Sequence, residues 1–382
     1  MYFISIDFIF FFIIFFLSYY FLFGKTAKTQ NIFLLLASYF FYGYTNYRIL
    51  LVLIISSVLF FYLGQLMYKL KCANKSVNYL NIFSVLLGVL LLGYFKYFNF
   101  FIKSFLIVFE KIGLSFNVDL FNIIVPLGIS FFTFKLISYI VEIYRNKFNP
   151  SNDLISFLVY VSFFPTILSG PIDKPNLFLP QLKEERVFNY QYSVSGIRQL
   201  LWGLFQKIVI ADQLSIFINE VWINIPNYSG STLFITSLLY CAQIYTDFSG
   251  YSHIAIGLSK MLGLKVIRNF NYPLFSLNIA EFWRKWHISL TSWFTDYVFM
   301  PLNIRLRSFK TLGLCSAILI NLFLVGLWHG PNWTFIFFGM FHGLFFLPLV
   351  FSGAFFKKKK IKLNKWGLPI YRHLFYMTIN YL

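Results

Sequence analysis

The chain has 382 residues and a net charge of +19; 59% of it is hydrophobic and 23% aromatic, and only 12% is charged. A soluble fold of this size could not hide 53 Phe and 26 Tyr without exposing large apolar patches, so lipid must solvate part of the surface. The basic residues stand in clusters between apolar runs (Lys69, Lys71 and Lys75; Arg305, Arg307 and Lys310; Lys357 to Lys360), which fits cytoplasmic loops and anionic headgroups and argues against nucleic acid as a partner.

Apolar run length predicts roughly nine to eleven membrane segments. They lie near 5–23, 30–45, 48–68, 79–100, 122–143, 153–168, 196–218, 231–247, 312–328, 333–352 and 367–382. The first run carries Asp7 and no basic residue before it, so it reads as a transmembrane helix and not as a cleaved signal. Lys25 and Lys28 follow it, which places the N-terminus outside. Pro126-Leu-Gly128, Pro165, Gly170-Pro171, Asp247-Phe-Ser-Gly250 and Pro273 interrupt the middle of the chain. Backbone groups freed in a membrane survive only inside protein or against water, so these breaks predict re-entrant segments around a central cavity. Ordinary interhelical turns read equally well at any one of them. Asp173 to Tyr192, the longest polar stretch, reads as a loop.

Residues 281–297 read as one sided helix, with Trp283, Trp286, Leu290, Trp293, Phe294 and Tyr297 on one face. Arg305 to Lys310 and Lys357 to Lys365 place both ends of the next hairpin in the cytoplasm. Its tip, Trp328-His-Gly-Pro-Asn-Trp333, then lies deep or toward the outer face. The last segment begins near Trp366 and reaches Leu382 with no polar tail, as in a piece of a longer protein. The expected fold is an all-α, polytopic transmembrane bundle. It forms a single membrane domain over 1–382, with N-terminal helices in 1–110 and a catalytic core in 120–345.

Ionisable residues inside apolar segments are costly and are candidates for chemistry. His329 stands first, between Trp328 and Gly330-Pro331 at the hairpin tip. Pro331 suits the first turn of the next helix, and Gly330 permits close approach. A buried neutral imidazole there could take a proton from a hydroxyl. It could equally tie two helices together. His287 sits at the edge of the aromatic face of 281–297, and on the residues alone an interfacial anchor with an incidental histidine is preferred. His342, followed by Gly343, reads as packing, and His253 and His373 as peripheral. Asp212, Asp247 and Glu281 could line a cavity or form ion pairs with Lys207 or Arg284. Cys72, Cys241 and Cys315 are far apart, so neither a disulfide framework nor a metal site is expected. The motifs His-Glu-x-x-His and Gly-x-Ser-x-Gly and a phosphate-binding Gly loop are missing.

Ordered motifs along nearly the whole chain carry a resemblance. They include Leu34-Leu-Leu-Ala-Ser-Tyr-Phe-Phe-Tyr-Gly43, Pro126-Leu-Gly-Ile-Ser-Phe-Phe-Thr-Phe134 with Glu142-Ile-Tyr-Arg145, Lys207-Ile-Val-Ile-Ala-Asp212 and Asp247-Phe-Ser-Gly-Tyr-Ser252. Asn269-Phe-Asn-Tyr-Pro273, Glu281-Phe-Trp-Arg-Lys-Trp-His-Ile-Ser-Leu290, Gly326-Leu-Trp-His-Gly330 and Gly339-Met-Phe-His-Gly343 are the most specific. In these the chain resembles the membrane-bound O-acyltransferase family, and within it the alginate O-acetylation subgroup. Thr166 to Lys174 is more similar to the teichoic-acid D-alanylation branch, and Asn303-Ile304 stands where the alginate subgroup has Gly-Gly.

The resemblance implies an enzyme of the bacterial inner membrane that moves acetyl, or a similarly small acyl group, from a thioester donor toward an envelope or exported polysaccharide. It implies a catalytic histidine at His329 and a second functional residue at His287, with Asp212, Asn271, Trp328 and Arg284 in support. No bound cofactor is implied. The donor substrate is acyl-CoA or an acyl carrier on the cytoplasmic side, and an exported transferase or glycan is the expected partner. D-alanyl transfer to teichoic acid, and a transporter with no chemistry of its own, are the alternatives.

Overall fold

The computed structural model describes residues 1–44, 46–114, 123–150 and 152–355. All regular structure among them is helical. In chain order the helices are α1 (Ile6–Phe21), α2 (Ala27–Gly43), α3 (Tyr47–Cys72), α4 (Asn78–Leu92), α5 (Phe98–Lys111), α6 (Ile129–Tyr144), α7 (Leu154–Ser162), α8 (Phe164–Ile167) and α9 (Pro175–Phe178). Then come α10 (Tyr190–Leu204), α11 (Asp212–Ile223), α12 (Gly230–Met261), α13 (Ile279–Lys285), α14 (Ile288–Phe294), α15 (Met300–Arg305), α16 (Lys310–His329) and α17 (Trp333–Phe351). Wider π-helical turns at Gly93–Tyr97 and Phe205–Ala211 join α4 to α5 and α10 to α11 without a break. Five helical stretches among the described residues are long and apolar enough to cross a membrane: Tyr47–Cys72, Asn78–Lys111, Tyr190–Ile223, Arg307–His329 and Trp333–Phe351. The segment expected at 367–382, with His373, lies outside the described residues.

The chain folds as two compact units, each drawn from separated stretches. The first comprises 1–85 and 127–268. Its aromatic-rich core buries Tyr19, Phe41, Phe60, Phe157, Phe163 and Phe164. Three of the expected breaks are real here, one of them Gly170-Pro171 in the non-helical stretch between α8 and α9. Gly128 takes a left-handed conformation (φ 72°) at the head of α6, and the chain turns sharply at Phe163, ahead of Pro165.

Asp247-Phe-Ser-Gly250 is not a break, because α12 runs unbroken through it for 32 residues. The glycines serve packing instead. Gly196 and Gly203 on α10 lie against Gly257 and Gly250 on α12, and a Cβ on any of the four would come within 2.8 Å of the opposing carbonyl oxygen. Seven residues separate the glycines on each helix, so one stripe brings two backbones together along its length. Ser249 Oγ completes the contact by donating to Gln206 Oε1 at 2.9 Å.

The second unit comprises 86–126 and 269–382. Its spine is the hairpin of α16 and α17. Gly326 and Gly339 again permit contact of backbone with backbone: a Cβ on Gly326 would lie 2.3 Å from the Phe335 oxygen, and one on Gly339 would lie 2.3 Å from the Leu322 oxygen. Pro331 does not open the following helix as expected. Asn332 caps α17 by accepting from Thr334 N–H at 3.0 Å, and Pro331 belongs to the turn before it.

Candidate active site

The continuous sided helix expected over 281–297 is divided in the structure. α13 ends at Lys285, Trp286 is extended, and His287 takes a left-handed conformation (φ 41°, ψ 57°) as the residue heading α14. That region is costly for a residue with a Cβ, so surrounding contacts must hold it. Asn269 supplies them. Its carbonyl accepts from Ile288 N–H at 2.8 Å, and its side-chain oxygen accepts from Ser289 Oγ–H at 2.6 Å. Asn269 is fully buried. The break turns His287 inward, to 1% exposure, so it is no interfacial anchor. Burial, with His329 acting in the same direction, holds its pKa well below the ordinary histidine value and keeps the ring neutral near pH 7.

His329 is the last residue of α16, one helical turn past Gly326. The residue as a whole is exposed, where the chain leaves the helix in an extended Gly330, while its ring packs against Trp328, Phe335 and Phe338. The close approach expected at Gly330 is made by the ring of Phe335. Trp328 joins the two histidines. Its ring centroid lies 5.6 Å from that of His287 and 4.9 Å from that of His329. Phe338 extends the cluster, at 5.6 Å from His329 and 4.4 Å from His342. His342 also packs edge-on against Trp283 at 5.5 Å.

A cavity of about 190 Å³ lies in the same unit, walled by Trp283, Leu290, Phe294, Leu322 and Phe346. Arg284 and Asn321 also line it. Trp283 Nε1 and Asn321 Oδ1 are buried there with no hydrogen-bond partner among the described residues. The space therefore suits an apolar ligand carrying a few polar groups. A larger open cleft of about 600 Å³ lies in the first unit, beside Arg186, Glu184 and Lys260. No histidine lines either space, but Trp283 in the wall of the smaller one packs on His342, in the unit that holds the histidine cluster.

The structure thus gathers His287, Trp328 and His329. Asn271 meets α13 through its backbone, donating to the Lys285 carbonyl at 3.1 Å. Arg284 is exposed at the cavity. Asp212 belongs to the first unit, where Lys207 bridges it (2.8 Å) and Asp247 (2.6 Å). Glu281 pairs with Lys285 at 2.7 Å and not with Arg284, and it also accepts from Leu277 N–H, which makes it a helix-capping residue. His253 lies 3.1 Å from Gln199 in the first unit. No cluster of three His, Cys, Asp or Glu among the described residues could hold a metal ion.

Two contributors carried no usable signal as residues. Asn269 was visible only as part of a motif. Lys96, in the second unit, is a lone lysine in an apolar run, yet its ammonium donates to the Trp328 carbonyl.

Fold and site define an all-helical, membrane-embedded protein with two histidines gathered around one tryptophan. The model of the membrane-bound O-acyltransferase family matches residues 36–381, and the chain belongs to that family. It is 35% identical over 338 residues to the probable alginate O-acetylase AlgI of Pseudomonas aeruginosa, covering 88% of this chain and 64% of the relative. It is 32% identical to the peptidoglycan O-acetyltransferase of Helicobacter pylori (86% and 66% covered) and 31% identical to the teichoic acid D-alanyltransferase of Bacillus subtilis (64% and 64%). The chain spans just under two thirds of the length of the first relatives, 64% and 66%.

Proposed function

We propose that this chain is an O-acyltransferase that moves acetyl, or a similarly small acyl group, from a thioester donor toward hydroxyls of a cell-envelope polysaccharide. The observation that carries the reading is the placement of His329, at the open end of α16, and a buried, neutral His287 at 4.9 and 5.6 Å from the Trp328 ring centre. His329 takes the proton of the attacking hydroxyl. The hydroxyl oxygen bonds to the thioester carbonyl carbon, the carbon–sulfur bond breaks, and the thiolate leaves and receives a proton. His287 orients the reacting groups through the shared tryptophan. The apolar cavity of the same unit suits the apolar arm of a donor, with Trp283 Nε1 and Asn321 Oδ1 as polar contacts.

The same proposal places the chain in a bacterial inner membrane as a bundle of roughly nine to eleven spans around a central cavity. The donor approaches from the basic cytoplasmic face, and an exported transferase or glycan waits outside. AlgI-type and peptidoglycan relatives support acetyl transfer to an envelope polymer. D-alanyl transfer is the second reading, favoured by the Thr166 to Lys174 segment and by the D-alanyltransferase relatives. The test is release of free CoA from labelled acetyl-CoA by the protein in nanodiscs, beside His329→Ala. Turnover that depends on His329 supports the proposal, and equal turnover in both refutes it. Turnover with a D-alanyl carrier alone selects the second reading.

A further inference from the structure

Lys96 stands within a helical span of 34 residues, in the π-helical turn Gly93–Tyr97. A charge in such a span is expensive, on the order of 3 kcal/mol at a bilayer centre. Among the described residues no carboxylate pairs with it. Its ammonium instead donates to the Trp328 carbonyl and lies 5.6 Å from the centroid of the Trp328 ring. The adjacent Tyr97 donates its hydroxyl to the Leu327 carbonyl at 2.9 Å.

Carbonyls in the last turn of a helix have no partner within it, and they form its negative end. Two consecutive residues of one turn thus cap the end of α16 immediately before His329. Both residues lie in the π-helical turn, and they reach consecutive carbonyls of α16. Tyr97 shows that a neutral donor satisfies such a carbonyl. The ammonium at the next carbonyl exceeds what capping requires.

We infer that Lys96 is a positioning residue: its cation holds the end of α16 and the Trp328 ring so that His329 keeps its working orientation. The inference rests on the acyltransferase reading for its kinetic consequence, but its geometry can be read without turnover. Lys96→Met keeps the length of the side chain and removes charge and donor. Lys96→Gln keeps a donor only, Lys96→Arg keeps both, and Tyr97→Phe removes the neutral cap.

In the full chain in nanodiscs, with acetyl-CoA as donor, Lys96→Met is expected to lower kcat by about 30-fold or more at little-changed KM. Lys96→Arg recovers most of that loss, Lys96→Gln recovers little, and Tyr97→Phe has a smaller effect. In the same variants the rate at which diethyl pyrocarbonate modifies His329, followed by mass spectrometry, rises several-fold for Lys96→Met and returns to the native rate for Lys96→Arg. A monodisperse Lys96→Met protein with native kcat and a native modification rate overturns the inference. A native protein that turns over no thioester, but whose His329 reactivity still depends on Lys96, overturns the acyltransferase reading and leaves this one standing.

Discussion

Replacing Gly326 by alanine puts a Cβ 2.3 Å from the Phe335 carbonyl oxygen and 3.0 Å from the Gly339 backbone. Backbone atoms cannot rotate away as a side chain can. Restoring an ordinary separation of about 3.4 Å therefore requires α16 and α17 to part by about 1 Å. Overpacking of this kind costs about 1–3 kcal/mol, while the better helix propensity of alanine returns up to about 1 kcal/mol. The net destabilisation is small, about 0–2 kcal/mol, so the protein still folds and melts within a few degrees of native. The effect on chemistry is larger. His329 lies one turn beyond Gly326 on the displaced helix, and a misplacement of about 1 Å can cost about 100-fold in rate. Gly230→Ala, with nothing within 4 Å of the added Cβ, serves as the reference. Both variants are followed by thermal melting in detergent and by release of CoA in nanodiscs. A folded Gly326→Ala protein with activity within about threefold of native would refute the view that this backbone contact places His329.

Two further expectations are smaller in scope. Asn269→Ala removes the acceptor that holds Ser289 and with it the left-handed turn at His287, and should cost about 1–3 kcal/mol in melting experiments. Asn269→Asp, which keeps an acceptor, should recover part of the loss, and an unchanged melt in the alanine variant would contradict this. Burial pushes the Asp173 carboxyl up to about 7 from its ordinary 3.8, against the opposing pull of the Ile267 N–H and Lys135. The folded state therefore keeps a proton that the unfolded chain releases, and stability should fall as pH rises from about 4 to about 7. Asp173→Asn should flatten that slope; a native melting temperature that rises over the same range would contradict the assignment.

The hairpin of α16 and α17 was legible because two long apolar runs flank a short Gly-Pro-Asn turn, and its histidine stands at the boundary. The break at His287 was not legible. The aromatic periodicity of 281–297 continues through that residue, and the left-handed turn is imposed by Asn269, which is distant in sequence. Gly250 was misread because a glycine marks a broken helix and a close helix crossing equally well; only the facing Gly203 decides between them. Lys96 escaped notice because nothing in Tyr-Phe-Lys-Tyr reveals that the side chain ends on a carbonyl more than 200 residues away. The catalytic weight given to His287 came from resemblance; what the structure adds is its place, a buried ring 5.6 Å from that of Trp328.

The most direct test of the account compares native protein and His329→Ala in nanodiscs, with labelled acetyl-CoA and detection of free CoA or transferred label. The account predicts turnover in the native protein and its loss in the variant, with both inserted and monodisperse. Equal release of CoA by the two proteins would contradict it.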